Sequence, residues 1–354
     1  MVDFAKLRIL EIGTPHMAAT FPGQTRSFVP APVKPESGRT KLSIANLTAL
    51  RAELRAPDLS LIVTGPGQRN PWSVSLLMRA LFDRRAWQGY PRFGPAIAPH
   101  LLRFPVAAPI AVIDTADYPY INRADLFLLS RCRFYFKREL PPDYWRLFTK
   151  TAHGELPTKR FRKRSRLRHL LDKVRPISLG LPHPATDFLT TGVETSKDKT
   201  TDVFFAGGVE GLSTVRQAGM RELAALRDRG FRIDVPEGRL PRDEFYRRCA
   251  QAWIVWSPEG FGWDCFRHYE ALACGSVPLM NQPSIVRHQP LLNGIHALYY
   301  DPEPGFLTAA IEHALADKDR LRAIARDGKA HVLAHHTIPA IAKYVVEMTL
   351  APPI

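Results

Sequence analysis

The sequence predicts an α/β fold with parallel sheets in two domains, and three observations support this. Short apolar segments end repeatedly in polar or Gly-rich turns, stretches long enough for helices separate them, and the alternation breaks off within residues 175–201 before restarting. A chain of 354 residues has room for about two domains. With 45% hydrophobic and 23% charged residues, 22 Gly and 31 Pro, it has the composition of a globular protein and not of a disordered, collagen-like or repeat chain.

In the first half, strands are expected at Leu7–Ile12, Leu42–Ala45, Leu59–Val63, Ala111–Ile113 and Leu126–Leu129, each a compact apolar run. Pro176, Gly180, Pro182, Pro184 and the polar run Thr195–Asp202 then interrupt the pattern. It restarts with the strand at 202–206, which runs into Gly207-Gly208. A helix over Thr214–Arg229 follows, with Val215, Met220, Leu223, Ala224 and Leu226 on one face. Next come a strand at Phe231–Val235, a helix at Pro241–Gln251 and strands at Trp253–Trp256 and Ser276–Met280. Helices are expected at 306–319 and 319–336, the latter interrupted near Gly328, and a final amphipathic helix starts after Thr337. These marks divide the chain into residues 1–180, 181–336 and a terminal helix, 337–354, that returns to the first domain.

Cys132, Cys249, Cys265 and Cys274 are too few and too irregularly spaced for a disulfide framework or a structural zinc site. The amino terminus has no signal-peptide pattern, and no apolar run approaches ~18 residues. A cytoplasmic protein is therefore expected, neither secreted nor membrane-spanning. There are 49 Lys and Arg against 34 Asp and Glu, a net charge of +15. Residues 146–175 concentrate that excess, with eleven Lys/Arg against Glu155 and Asp172, densest at 159–168. This stretch is either a solvated basic surface or a contact for an anionic partner. The partner would be a phosphorylated acceptor or the inner face of a membrane, since no nucleic-acid recognition motif accompanies the charge.

The chemistry is most legible at Ser257-Pro258-Glu259-Gly260-Phe261-Gly262-Trp263-Asp264-Cys265-Phe266-Arg267-His268-Tyr269-Glu270-Ala271-Leu272-Ala273-Cys274-Gly275-Ser276-Val277-Pro278. A buried strand runs into a Gly-containing loop, and a helix starts near Asp264, whose carboxylate is placed to cap it while free N–H groups face a phosphate. Arg267 and Glu270, three residues apart, share a helix face, where Arg can neutralise a diphosphate and Glu can accept from a ribose hydroxyl.

This segment resembles the nucleotide-sugar-binding half of GT-B glycosyltransferases. The likeness is to family 4, with its Glu-Gly-Phe-Gly loop, and to the exostosin-like families, with Arg followed by Glu-Ala-Leu-x-x-Gly-x-Val-Pro. The resemblance implies two Rossmann-like domains facing an interdomain cleft, the first binding the acceptor and the second the donor. It also implies a metal-independent reaction with no cofactor, in which a nucleoside-diphosphate sugar, UDP-sugar by default, gives its sugar to a hydroxyl of a glycan, lipopolysaccharide or glycolipid.

By role, Glu270 is the ribose carboxylate, Arg267 a phosphate contact, and Gly260, Phe261, Gly262 and Gly275 lie near the nucleotide, joined by Gly207, Gly208 and Arg216, with Arg221 as a substitute for the last. The retaining pattern has seven residues between its two glutamates, whereas ten separate Glu259 from Glu270. The inserted residues either add nearly a helical turn or lengthen the loop, so the sugar contact of Glu259 and the stereochemistry do not carry over.

Asp114, Asp117 and His16, at strand ends, are the candidates for a base that takes the acceptor proton, and Lys137 and Arg138 for an anionic acceptor. The segment Tyr135–Glu139 reads otherwise as a strand passing into a loop with a charged exterior. Noncatalytic nucleotide or glycan binding and nucleotide-sugar epimerisation are the alternative functions.

Overall fold

A computed structural model describes residues 2–13, 16–30, 38–66, 97–151, 157–161, 165–182, 185, 199–209 and 213–352. The chain forms two compact units, one of Met1–Ile177 with Ala342–Ile354 and the other of Ser178–Ile341.

In the first unit the strands β1 (Ile9–Ile12), β2 (Thr25–Val29), β3 (Thr40–Lys41), β4 (Leu61–Thr64), β5 (Ile110–Asp114), β6 (Phe134–Lys137) and β9 (Val174–Pro176) form one sheet in the order β3-β2-β1-β4-β5-β6-β9. Every neighbouring pair is parallel. Such strands are covered on both faces and read as unbroken apolar runs, as Ile9, Leu10, Leu61, Ile62, Ala111 and Val112 show by complete burial. A separate antiparallel pair joins β7 (Thr149–Thr151) to β8 (Pro157–Phe161). The short helices α1 (Leu47–Glu53) and α2 (Leu126–Arg131) also belong to this unit.

The second unit holds a parallel sheet in the order β11-β10-β12-β13-β14, from β10 (Thr201–Phe204), β11 (Ile233–Asp234), β12 (Ala252–Trp256), β13 (Val277–Asn281) and β14 (Leu298–Tyr300). Val203 lies beside Ile254, and Ile254 beside Val277. Its helices are α3 (Thr214–Asp228), α4 (Arg242–Gln251), α5 (Phe266–Ala273), α6 (Phe306–Leu315) and α7 (Lys318–His335). Helix α8 (Ile338–Leu350) starts in this unit and its residues from Ala342 belong to the first. There Tyr344 meets the Phe136 ring edge-on at 5.4 Å and donates to the Pro176 carbonyl at 3.2 Å.

Four sequence expectations are corrected. Leu42–Ala45 is not a strand: pairing stops at Lys41, and Ile44–Asn46 is a 3-10 turn leading into α1. Leu126–Leu129 is helical, burying Leu126, Leu128 and Leu129; a short apolar run suits a buried helix as well as a strand. Helix α7 runs unbroken through Gly328, where a side chain would collide with the His296 carbonyl and Leu272. Glycine here serves close packing, not a break. Finally, the end of β6 is no charged exterior, since Lys137, Arg138 and Glu139 are 0%, 4% and 3% exposed.

Gly219, inside α3, makes a similar close approach. A Cβ there would overlap the ring of fully buried Trp256, whose indole donates to the Tyr300 hydroxyl at 3.0 Å and lies 4.6 Å from the Phe205 ring. Gly→Ala in a helix interior normally adds about 1 kcal/mol of stability. At Gly219 the sign should reverse, with Gly219→Ala costing about 1–3 kcal/mol by overpacking. Thermal unfolding reads this directly, and an unchanged or raised midpoint would contradict the packing.

Candidate functional site

In an open parallel sheet, ligands collect beyond the carboxyl ends of the strands, where the strand order reverses. In the second unit that point lies between β10 and β12, which are neighbours in the sheet although β11 separates them in sequence. The loops leaving these strands carry Gly207-Gly208 and the segment 257–265, so topology and motif coincide.

Arg216, near the start of α3 and 7% exposed, ties the two loops together. Its Nη1 donates to the Gly208 carbonyl at 2.7 Å, Nε to the Glu259 carbonyl at 2.8 Å and Nη2 to the Pro258 carbonyl at 3.4 Å. Gly260 permits this contact, since a Cβ there would sit 2.9 Å from Arg216 Nη2. Arg267, on the first turn of α5, donates from Nε to the Ala206 carbonyl at 3.1 Å and lies over the Phe205 ring at 5.1 Å. A Cβ on Gly207 would lie 2.6 Å from its Nη2.

The two guanidiniums repel. Burial and then the Arg267 charge lower the Arg216 pKa, with Cys265 and Glu259 opposing. Two like charges held beside one pair of glycine-containing loops favour an anion.

Glu270 lies one turn beyond Arg267 on α5 and is half-buried. Burial raises its pKa above the ordinary carboxylate value, while the Tyr246 hydrogen bond, Arg267 and Arg242 oppose that shift. The Tyr246 hydroxyl, on α4, donates to Glu270 Oε1 at 3.1 Å. Glu270 lines a cavity of about 1200 Å³ with Gly207, Gly208, Leu240, Arg242 and Phe245, and every described residue of its lining belongs to this unit.

The extra residues between Glu259 and Glu270 lengthen the loop, because α5 begins only at Phe266. Asp264 does not cap the helix as the sequence suggests: Cys265 occupies the cap position without a side-chain bond. The Asp264 carboxylate instead accepts from the Leu179 N–H at 2.7 Å and the Tyr269 hydroxyl at 2.6 Å, while Trp263 Nε1 donates to the Asn281 carbonyl at 3.0 Å. These inward anchors hold the loop, and Phe261 at its tip is 50% exposed. Gly262 is buried, and its carbonyl accepts from the Gly260 N–H at 3.0 Å, closing the turn.

Asn281 fixes Glu259 at both ends. Its Oδ1 accepts the Glu259 N–H at 2.9 Å and its Nδ2 donates to Glu259 Oε2 at 3.1 Å. Gly275 sits at the far, carboxyl end of α5 with φ of 76°, its carbonyl held by Lys199 Nζ at 2.7 Å, and Arg221 is exposed on α3. His268 is buried between Ser257 Oγ at 2.8 Å and the Trp263 carbonyl at 2.9 Å, and burial lowers its pKa to about 3.

In the first unit, Asp114 ends β5 and Lys137 ends β6. Asp114 Oδ2 accepts from Lys137 Nζ at 3.0 Å and from the Tyr135 hydroxyl at 2.8 Å, and Oδ1 accepts the Ala116 N–H at 3.1 Å. Arg138 pairs with Asp117, and with Glu139 at 3.1 Å. The Asp117 side chain remains 51% exposed. The His16 N–H donates to the buried Glu11 carboxylate, and burial lowers the His16 pKa, with Glu11 opposing. Lys137 and Asp114 are thus brought together as a buried pair.

Tyr246, Arg242, Asn281 and Trp263 are site residues that the sequence reading passed over. Each acts across a long chain separation, which periodicity does not report. Among the described residues, no group of three or more His, Cys, Asp or Glu could hold a metal ion.

Residues 222–347 match a protein family described as "Glycosyl transferase-like". No curated protein sequence matches the chain. Among solved structures, the chain is similar to a glycosyltransferase from Rickettsia africae, with 9% identity, a TM-score of 0.56 and coverage of 98% of this chain and 100% of that one. It is also similar to an alpha,alpha-trehalose-phosphate synthase (UDP-forming) from Burkholderia vietnamiensis, with 12% identity, a TM-score of 0.54 and coverage of 98% and 100%. A third is the E. coli structure described as "Trehalose-6-phosphate … bound with UDP-2-fluoro glucose", with 10% identity, a TM-score of 0.53 and coverage of 98% and 99%. The chain has the GT-B fold, and its residues 222–347 resemble a glycosyl transferase-like family.

Proposed function

We propose that this chain is a metal-independent glycosyltransferase that binds a nucleoside-diphosphate sugar in its second unit and gives the sugar to a hydroxyl of a glycan, lipopolysaccharide or glycolipid. One observation carries the reading: Arg267 and Glu270 lie one turn apart on α5, beside the loops that Arg216 ties together, and Glu270 lines the cavity. Arg267 and the N–H groups of the glycine-containing loops take the diphosphate, and Glu270 accepts from the ribose hydroxyls. Arg216, already committed to three carbonyls, adds its charge from below the loops. Of the similar structures, one is a UDP-forming synthase and another is bound with UDP-2-fluoro glucose, which makes UDP the first donor nucleotide to test.

In the reaction, the acceptor oxygen forms a bond to the anomeric carbon as the bond from that carbon to the diphosphate breaks. The leaving electron pair stays on the diphosphate, where the guanidinium charge stabilises it, and the hydroxyl proton passes to a base. The acceptor is assigned to the first unit, on the inner face of the cell membrane or in the cytoplasm. Of the three base candidates there, Asp117 has a half-exposed carboxylate that pairs with Arg138, whereas Asp114 is buried and held by Lys137 and Tyr135. That engagement of Asp114 also favours the second reading, a module that binds nucleotide without transfer.

Calorimetry with UDP, GDP, CMP and representative activated sugars tests the proposal. The wild type should bind one nucleotide class selectively, and Arg267→Ala should weaken that binding about tenfold, as expected for one charge-assisted contact shared with other donors. Failure of the folded wild type to bind any of the panel would sink the donor-site reading. Binding without transfer to any hydroxyl acceptor would favour the noncatalytic module.

A further inference from the structure

The basic stretch of the first unit is not absorbed by the proposed activity, and its described parts adjoin one hairpin along the chain. The pairing Thr149↔Phe161 closes the β7–β8 hairpin at the end where two 3-10 segments adjoin it, Tyr144–Phe148 before β7 and Ser165–Lys173 after β8. Each segment is pinned by a buried leucine. Leu147 is fully buried and its carbonyl accepts the Ile121 N–H at 2.8 Å, and Leu170 is 6% exposed. Lys173 reinforces the second segment by donating to the carbonyls of Cys132 at 3.0 Å and Ser130 at 3.3 Å.

With those leucines inward, Trp145 is 52% exposed with the Arg146 guanidinium 5.6 Å from its ring, and Arg166, Arg168 and His169 are exposed. Among the described residues, neither Arg166 nor Arg168 has a carboxylate partner. In the sequence, residues 146–175 carry eleven Lys/Arg against two acidic residues.

We propose that this end of the β7–β8 hairpin is a docking surface for an anionic lipid bilayer. Uncompensated arginines on a rigidly anchored segment match a negatively charged headgroup layer, where each basic side chain near the surface adds to the attraction. The exposed indole matches the interface between headgroups and acyl chains. A nucleic acid fits less well, because sequence or strand recognition would call for a groove-reading helix or several stacking aromatics, and the surface offers a two-stranded hairpin and one exposed Trp. No described helix is long and apolar enough to cross a membrane. The proposal does not rest on the transferase reading.

Sedimentation with vesicles of phosphatidylglycerol and phosphatidylcholine, against phosphatidylcholine alone, at about 0.05 M and about 0.5 M salt, provides the test. The full chain should bind the anionic vesicles only, and release in high salt. Arg166→Glu/Arg168→Glu should weaken binding at least about 30-fold with an unchanged thermal midpoint, because both side chains are exposed, and Trp145→Ala should weaken it about threefold. The surface is not a membrane contact if anionic vesicles fail to bind, if neutral vesicles bind equally, or if either variant binds like the wild type. Tighter binding of duplex DNA or RNA through the same arginines would also overturn it.

Discussion

Lys137→Met should remove about 3–5 kcal/mol of folding stability, the largest effect expected of any single substitution in the first unit. Lys137 is fully buried, and its ammonium lies 3.0 Å from Asp114 Oδ2. Methionine keeps the length and the apolar contacts of the stem, so packing changes little. What changes is that Asp114, itself 2% exposed, keeps its charge with only the Tyr135 hydroxyl and the Ala116 N–H as donors. Removing one partner of a buried pair costs far more than removing both, because the surviving charge has neither water nor counter-ion. Asp114→Asn/Lys137→Met should therefore recover much of the loss. Since domains have only about 5–15 kcal/mol in total, urea denaturation of the single variant should show a large fall in midpoint. A loss under about 1 kcal/mol, the range of exposed ion pairs, would mean that water reaches the pair.

The same pair shows where sequence reading stops. Asp114 and Lys137 end adjacent strands, 23 residues apart in the chain, and Tyr135 comes from the same strand as Lys137. Their types and strand-end positions are visible in the sequence, and suggest an acceptor site; that they neutralise one another follows only from β5 lying beside β6. Strand β2 was missed for a related reason. Thr25-Arg26-Ser27-Phe28-Val29 is too polar to read as a buried strand, yet buried Ser27 is satisfied by donating to Glu11 Oε2 on β1 at 2.9 Å.

The second unit was more legible because β12, Ala252-Trp253-Ile254-Val255-Trp256, is the unbroken apolar run that a two-sided parallel strand requires. The loop and helix that follow it bring Arg267 and Glu270 to one place by short-range geometry alone. Arg216 was found by its position after the Gly207-Gly208 loop, but what it does, bridging that loop to residues 258–259, is set by two strands meeting in space.

Glu270→Gln should weaken nucleotide binding about 100-fold if the ribose reading is right, since hydrogen bonds to a charged group contribute about 1.5–3 kcal/mol each and two ribose hydroxyls are available. The pH dependence makes the test sharper. Burial raises the Glu270 pKa, so in the free protein its contribution to stability is present below the ordinary carboxylate range and is lost as pH rises through the raised value. Nucleotide binding should run the opposite way, strengthening with pH as the carboxylate forms, and this dependence should vanish in Glu270→Gln. Tyr246 is the residue that tilts the balance: fully buried, it donates to Oε1 and so favours the charged form and leaves Oε2 for the ligand. Tyr246→Phe removes that donor while keeping the ring, so the pKa of Glu270 should rise further and the midpoint of the binding profile should move to higher pH. Calorimetric titration of wild type, Tyr246→Phe and Glu270→Gln across the acid range separates the possibilities. A profile that stays in place while Tyr246→Phe lowers only the melting temperature would reduce Tyr246 to a packing residue, and a pH-dependent Glu270→Gln would place the titrating group elsewhere.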